Sequence, residues 1–292
     1  MTENIAKQLV GKATERRYLE YTWRDVALYA LSVGAGRDDL IYTYEKNLKT
    51  LPTFGVLPYW GTVGIKPFLP RPFPAAMLAN DILHSNIAPL HMEHTLLMHR
   101  PIDPIKGTMS FQDRITDVYD RGEGKGLVIK TCADVYDEAG NLLCSNISST
   151  LFHEGGGFGG DPMPKSRVVI PDREPDYIVE DYISPVQNVL YRLTGDTNLV
   201  HVDPDYARDH GFDRVFMQGL CSFGFSCRML IGAIIPNEPE RMTQITAQMR
   251  AILYPDTRIS CRIWKMSDNL AVFRLVDEEG NKILDKGQFG WQ

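Results

Sequence analysis

Hydrophobic and polar positions alternate along several short stretches of this chain. Gly126–Ala133 and Leu270–Val276 both show the two-residue period of a half-buried β-strand. Each run leads into a hairpin signal, Val135-Tyr-Asp-Glu-Ala-Gly-Asn-Leu-Leu143 in one case and Val276-Asp-Glu-Glu-Gly-Asn-Lys-Ile-Leu284 in the other. A tight turn at Gly-Asn joins strand to return strand. Another strand is expected over Thr257–Trp264, entered through Leu253-Tyr-Pro-Asp; His99-Arg-Pro-Ile makes the matching entry earlier. The stretch Gly219–Ile235 is different. It is apolar nearly all round, which predicts a helix buried on every side.

These features recur in the same order, and Leu28-Tyr-Ala-Leu-Ser32 likewise parallels Leu190-Tyr-Arg-Leu-Thr194. Matching order implies duplication of one plan. Between the copies, Glu154-Gly-Gly-Gly-Phe-Gly-Gly-Asp-Pro-Met-Pro164 reads as a connector. A nucleotide cradle would need Gly-Lys-Ser/Thr and a helix start after the glycines, and neither follows. The expected organisation is an α+β chain of two repeats, residues 1–160 and 161–292. Each repeat carries an internal helix and several antiparallel strands.

The 292 residues suffice for two cores, and 43% hydrophobic with 23% charged residues describes an ordinary folded protein. A net charge of −6 argues against nucleic acid as a partner, so a bound anion must be met by a local basic patch. Cys132, Cys144, Cys221, Cys227 and Cys261 lack metal-ligand spacing and read as reduced thiols; no metal is expected. Met1–Gln8 lacks the pattern of a signal peptide, and the Gly-Trp-Gln end is not a peroxisomal address. The longest apolar stretch, Phe223–Ile235, contains Arg228 and is too short to cross a bilayer. The expected location is the cytoplasm.

Chemistry concentrates in Tyr191-Arg-Leu-Thr-Gly-Asp-Thr-Asn-Leu-Val-His-Val-Asp-Pro-Asp-Tyr-Ala-Arg-Asp209. Asp196, Asn198 and His201 crowd a stretch that favours neither helix nor strand, since short polar side chains compete for backbone hydrogen bonds. A carboxylate, an amide and an imidazole on one loop can converge on one water, which is the equipment of acid–base chemistry near neutral pH. Singly, Asp196 would close a turn and His201 would be a satisfied polar residue. Asp203, Asp205 and Asp209 read as solvated or helix-capping charges.

This segment resembles the signature of the type 2 enoyl-CoA hydratases, relatives of the MaoC-like dehydratases. Tyr191, Leu193, Thr194, Gly195, Asp196, Asn198, Val200, His201 and Ala207 fit the family pattern, and Leu199 stands where Pro is usual. Met217-Gln-Gly-Leu-Cys-Ser-Phe-Gly224 resembles a second family segment, with Gln218 replacing its usual His. Leu51–Leu57, His91-Met-Glu-His94, Ser149–Gly160, Tyr254-Pro-Asp-Thr and Trp264-Lys265 extend the resemblance over most of the chain.

The resemblance implies a double hot-dog fold and reversible hydration of trans-2-enoyl-CoA to (3R)-3-hydroxyacyl-CoA. The hydration belongs to fatty-acid β-oxidation, and its reverse is the 3-hydroxyacyl-CoA dehydration that gives the hydro-lyase class its name. It assigns Asp196 and His201 to one water, Asn198 to orienting loop or water, and the Gly219 amide to the thioester oxygen. The amino-terminal repeat, with Ser32–Asp39 in place of the Asp/His pair, is then inactive and accommodates the acyl chain, whether medium, long or sterol-type. Glu93 matches an acidic family position, while Arg250 and Lys265 are candidates for the CoA phosphates. The CoA thioester is substrate, no separate cofactor is implied, and a homodimer is expected. The competing readings are a non-catalytic acyl-thioester-binding protein or partner subunit, and a thioesterase.

Overall fold

The computed structural model describes residues 5–60, 74–83 and 89–292; residues 1–4 of the amino-terminal stretch considered above lie outside them. The first half contributes β1 (Arg17–Thr22), β2 (Leu90–Met98), β3 (Lys106–Asp120), β4 (Leu127–Tyr136) and β5 (Leu142–Phe152). The second contributes β6 (Tyr177–Ile183), β7 (Met242–Met249), β8 (Thr257–Ser267), β9 (Leu270–Asp277) and β10 (Lys282–Trp291). All ten lie in one antiparallel sheet, ordered β1-β3-β4-β5-β2-β7-β10-β9-β8-β6. Reading inward from each edge gives the same succession of strands. The duplication inferred from sequence is therefore written in the topology.

The two halves meet at the β2–β7 seam, where Glu93 to Leu97 run antiparallel to Gln248 to Gln244. Thr95 faces Thr246 at its centre, their hydroxyls 2.9 Å apart. Both hairpins turn at Gly140-Asn141 and Gly280-Asn281, with the glycines at φ 80° and 84°, a backbone region other residues rarely enter. Asp137 and Asp277 close these turns by accepting from the Asn141 and Asn281 amides.

The Gly219–Ile234 helix is buried as its composition predicts, with Phe223 and Phe225 at 0% exposure. Burying each such side chain contributes roughly 1.5–3 kcal/mol. The helix runs beneath β7, β8 and β10, and its first-half counterpart at Pro52–Trp60 runs beneath β2 and β5. Each half is a curved antiparallel sheet wrapped on a buried helix. The chain is a double hot-dog.

Additional helices at Trp23–Ser32 and Gln187–Arg192 pack on each other, bringing Tyr29 and Tyr191 to a ring separation of 6.4 Å. Gly224 makes close approach possible: a methyl there would stand 2.5 Å from Val33 Cγ1. Arg228, the lone charge of the buried helix, donates to Val33 C=O at 3.0 Å and is paired with Asp39 and Asp181. It thereby ties the first-half Val33–Asp39 loop to the second half. In the connector, the amides of Gly157, Gly159 and Gly160 all donate to the Asp120 carboxylate. Those amides hold an internal carboxylate, as befits a connector.

Candidate active site

The loop after the Gln187–Arg192 helix is tight. Thr194 Oγ1 donates back to Tyr191 C=O at 2.7 Å, Gly195 takes φ 122°, and Asp196 follows. Asp196 Oδ1 accepts the Asn198 backbone N–H at 3.1 Å, an Asx turn. Asn198 therefore holds the carboxylate through its main chain. Leu199–His201 forms a single 3-10 turn, a small departure from the loop expected there. Asp203 then caps the Pro204–Asp209 helix by accepting from Asp205 and Tyr206 N–H, the capping role expected for it. Asp196 and His201 both retain 8% exposure, so each is almost enclosed while keeping an edge open.

His201 Nδ1 lies 2.9 Å from Phe216 C=O. A carbonyl can only accept, so Nδ1 carries the proton of the neutral ring and Nε2 is the basic nitrogen. The Phe216 ring meets the imidazole edge-on at 4.8 Å. Two residues later the buried helix begins, and its N-cap, Gln218, provides no side-chain cap. The first-turn amides thus keep the partial positive charge of an uncapped helix start. Burial drives the Cys221 thiol well above its usual pKa, and the nearby Asp196 charge adds to the rise. Tyr191 is raised in the same way, by burial first, then Tyr29, Cys221 and Asp196. The carboxylate of the loop is thus within electrostatic reach of Cys221, in the first turn of the Gly219–Ile234 helix.

Gly219 lies against Met249, a residue of a nearby cleft. The nearest atom to a Cβ placed on it would be Met249 Cγ at 3.5 Å, and Met249 forms part of the wall of a cleft of about 290 Å³. Glu93, Gln248 and Arg250 line the same cleft, joined by Lys165 and Lys286. Glu93 Oε2 accepts from Gln248 Nε2 at 3.0 Å across the seam between the halves. The structure thus brings Glu93 and Arg250 together in one cleft, whose Met249 also lies against Gly219. Lys265 is not in this cleft. It lies on β8, beyond β9 and β10, where its N–H donates to Asp176 Oδ2 at 2.7 Å.

Sequence reasoning missed Lys165 and Lys286. One sits in the connector and the other at φ 48° within a register shift of β10, and neither place has a motif. Asn188 was missed too: its Nδ2 donates to His201 C=O at 2.6 Å. His91 and His94 have rings 5.3 Å apart, and His94 Nε2 donates to Asn146 Oδ1 at 3.0 Å.

Comparison with known proteins bears on the whole chain. The MFE-2 hydratase 2 N-terminal domain model matches residues 19–155, and the MaoC-like domain model matches residues 167–288. A Dictyostelium discoideum protein, "Probable enoyl-CoA hydratase 2", is 31% identical over 98% of this chain and 96% of its own length. The chain belongs to the MaoC-like hydratase 2 family. A mouse relative, "Peroxisomal multifunctional enzyme type 2", is 33% identical over 90% of this chain, which spans only 35% of that longer protein. Among solved structures, a MaoC-like dehydratase from Phytophthora capsici superposes with a TM-score of 0.83 at 30% identity, covering 97% of this chain and 96% of that one. For a hydratase 2 relative, the uncapped helix start, the loop and the cleft stand in a chemically sensible order.

Proposed function

We propose that this hydro-lyase adds water reversibly across trans-2-enoyl-CoA to give the (3R)-3-hydroxyacyl-CoA. The supporting observation is the His201 tautomer set by Phe216, on the same short loop as Asp196 and next to an uncapped helix start. His201 Nε2 and the Asp196 carboxylate share one water. One group draws its proton as oxygen bonds to C3, and the proton delivered to C2 comes from the same pair. In this reading the two groups act as a pair on that water, and the roles of base and acid are not divided between them.

Charge builds on the thioester oxygen as oxygen bonds to C3. In this reading the Gly219 N–H receives that charge, and one such donor is worth about 3–4 kcal/mol of barrier. The CoA phosphates sit toward Arg250, Lys165 and Lys286, with the carboxylate of Glu93 set among them. The acyl chain extends into the first half, which carries no Asp/His pair at Ser32–Asp39. Straight and sterol-type chains both suit this reading. Residues 1–160 are then the acyl-accommodating repeat and 161–292 the catalytic one.

Asp196→Asn and His201→Ala should each fold and lose at least about 10²-fold in hydration rate. Loss of enoyl-thioester ultraviolet absorbance, across a panel from crotonyl to sterol-type esters, measures this. Full activity in either variant would overturn the mechanism, while release of free thiol would point to thioester hydrolysis.

No helix among the described residues is long and apolar enough to cross a membrane. The free cysteines, four of them buried, suit a reducing compartment, and we place the protein in the cytoplasm. Imaging of the full chain tests this, and a peroxisomal signal would overturn it. A homodimer is also part of the proposal. Val186, Val189 and Leu193 are exposed at 61, 49 and 62%, one apolar stripe on the Gln187–Arg192 helix and its flanks. Light scattering should give twice the chain mass, and a monomer would contradict it.

A further inference from the structure

Asn188 has no part in the chemistry above, yet it is buried at the centre of the site, at 3% exposure. Its Nδ2 donates to the His201 carbonyl at 2.6 Å, and its own carbonyl accepts from Gln218 Nε2 at 3.1 Å. The His201 ring donates in turn to Phe216 C=O, two residues before Gln218. Three segments are thereby closed into one ring of hydrogen bonds: the Gln187–Arg192 helix, the Leu199–His201 turn and the approach to the Gly219–Ile234 helix. Met217 N–H donates to Leu253 C=O at 2.8 Å and fastens the ring to the entry of β8.

We propose that Asn188 is a positioning residue which, through Gln218, locks the His201 ring and the Gly219 amide in one fixed relation. Each bond in the ring is directional, and the two made by Asn188 and Gln218 are buried, so each fixes an angle as well as a distance. The Phe216 carbonyl selects the His201 tautomer only while the Phe216–Gln218 segment stays in place. Gln218 keeps it there by reaching the Asn188 main chain, and Asn188 closes the ring by holding the His201 main chain. Carboxamides do not ionise, so the brace keeps its hydrogen bonds whatever the pH. This gives a purpose to Gln218, the residue that departs from the resembled family segment. Its side-chain N–H donates to the neighbouring helix, while the backbone amide after it remains uncapped.

The kinetic consequence rests on the hydratase reading; the structural one does not. Displacing a reacting group by about 1 Å can cost 10²-fold in rate. Asn188→Leu, of similar size but without a donor, should lower kcat by about 10- to 100-fold with KM changed less than about twofold. Gln218→Met should do likewise. Because both variants open the same ring, the double variant should be no slower than the slower single by more than about twofold. Nitrogen-15 spectra should show the neutral His201 ring of the wild type protonated at Nδ1, and a mixture of tautomers in Asn188→Leu.

A folded Asn188→Leu with kcat within about twofold of wild type would overturn the proposal. So would additive single and double losses, or an unchanged tautomer. Should Asn188→Leu fail to fold, Gln218→Met carries the same readouts. If the wild type hydrates no enoyl thioester, the hydratase reading fails, and the nitrogen-15 comparison alone decides whether the brace exists.

Discussion

Gly219 opens its helix with room to spare. The nearest atom to a methyl placed there is Met249 Cγ at 3.5 Å, an ordinary contact, so the fold has no steric need of glycine. The proposed need is chemical: the amide must be approached closely by a thioester oxygen. Gly219→Ala should therefore keep its melting temperature and lose at least about tenfold in kcat, since losing a whole oxyanion donor costs about 10²–10³. Circular dichroism and steady-state kinetics measure both, and full activity would remove Gly219 from the mechanism. The loop that carries Asp196 and His201 and the apolar helix that opens at Gly219 were legible as segments because each is short, contiguous and of distinctive chemistry. Asn188, Lys165 and Lys286 were not, because their roles come from neighbours that only the fold supplies. Lys265 follows Trp264 in a stretch that resembles the family, yet β9 and β10 separate it from the cleft.

At the scale of elements, the buried helix carries one charge and depends on its partners. Arg228 lies between Asp39 and Asp181, with side-chain exposures of 13, 32 and 24%. Arg228→Met would leave two carboxylates half-buried without their cation, and loss of one partner of a buried pair costs about 3–5 kcal/mol. Urea denaturation measures this; a change under about 1 kcal/mol, as for exposed pairs, would contradict it. Next to the same helix, His94 stacks edge-on against Phe223 at 5.4 Å. Burial pushes its pKa down from 6.5 to about 4, only partly opposed by the hydrogen bond to Asn146. Lowering the pH through that window protonates the unfolded chain before the folded one, so stability falls as pH drops from 6.5 toward 4. The wild type should lose up to about 3 kcal/mol more than His94→Gln over this range, by urea denaturation at stepped pH. Parallel curves would contradict it. Strands and hairpins were legible here because alternation and Gly-Asn turns are local. The short 3-10 turn at Leu199–His201 was not, since no local propensity distinguishes it from a loop.

For the whole molecule, duplication supplies both the scaffold and its asymmetry. Two copies of one strand order meet at Thr95 and Thr246 and share one core, yet only the second copy carries Asp196 and His201. The repeat was readable because features recurred in order. The single continuous sheet was not, since the β2–β7 pairing joins strands far apart in sequence. The central claim is that one loop delivers both parts of a single water to one face of an enoyl thioester while a helix amide holds its oxygen. The most direct test is chiral analysis of the alcohol formed from trans-2-enoyl-CoA. The account predicts the 3R product, formed by the wild type and lost with Asp196→Asn; a 3S product, or undiminished product from that variant, would contradict it.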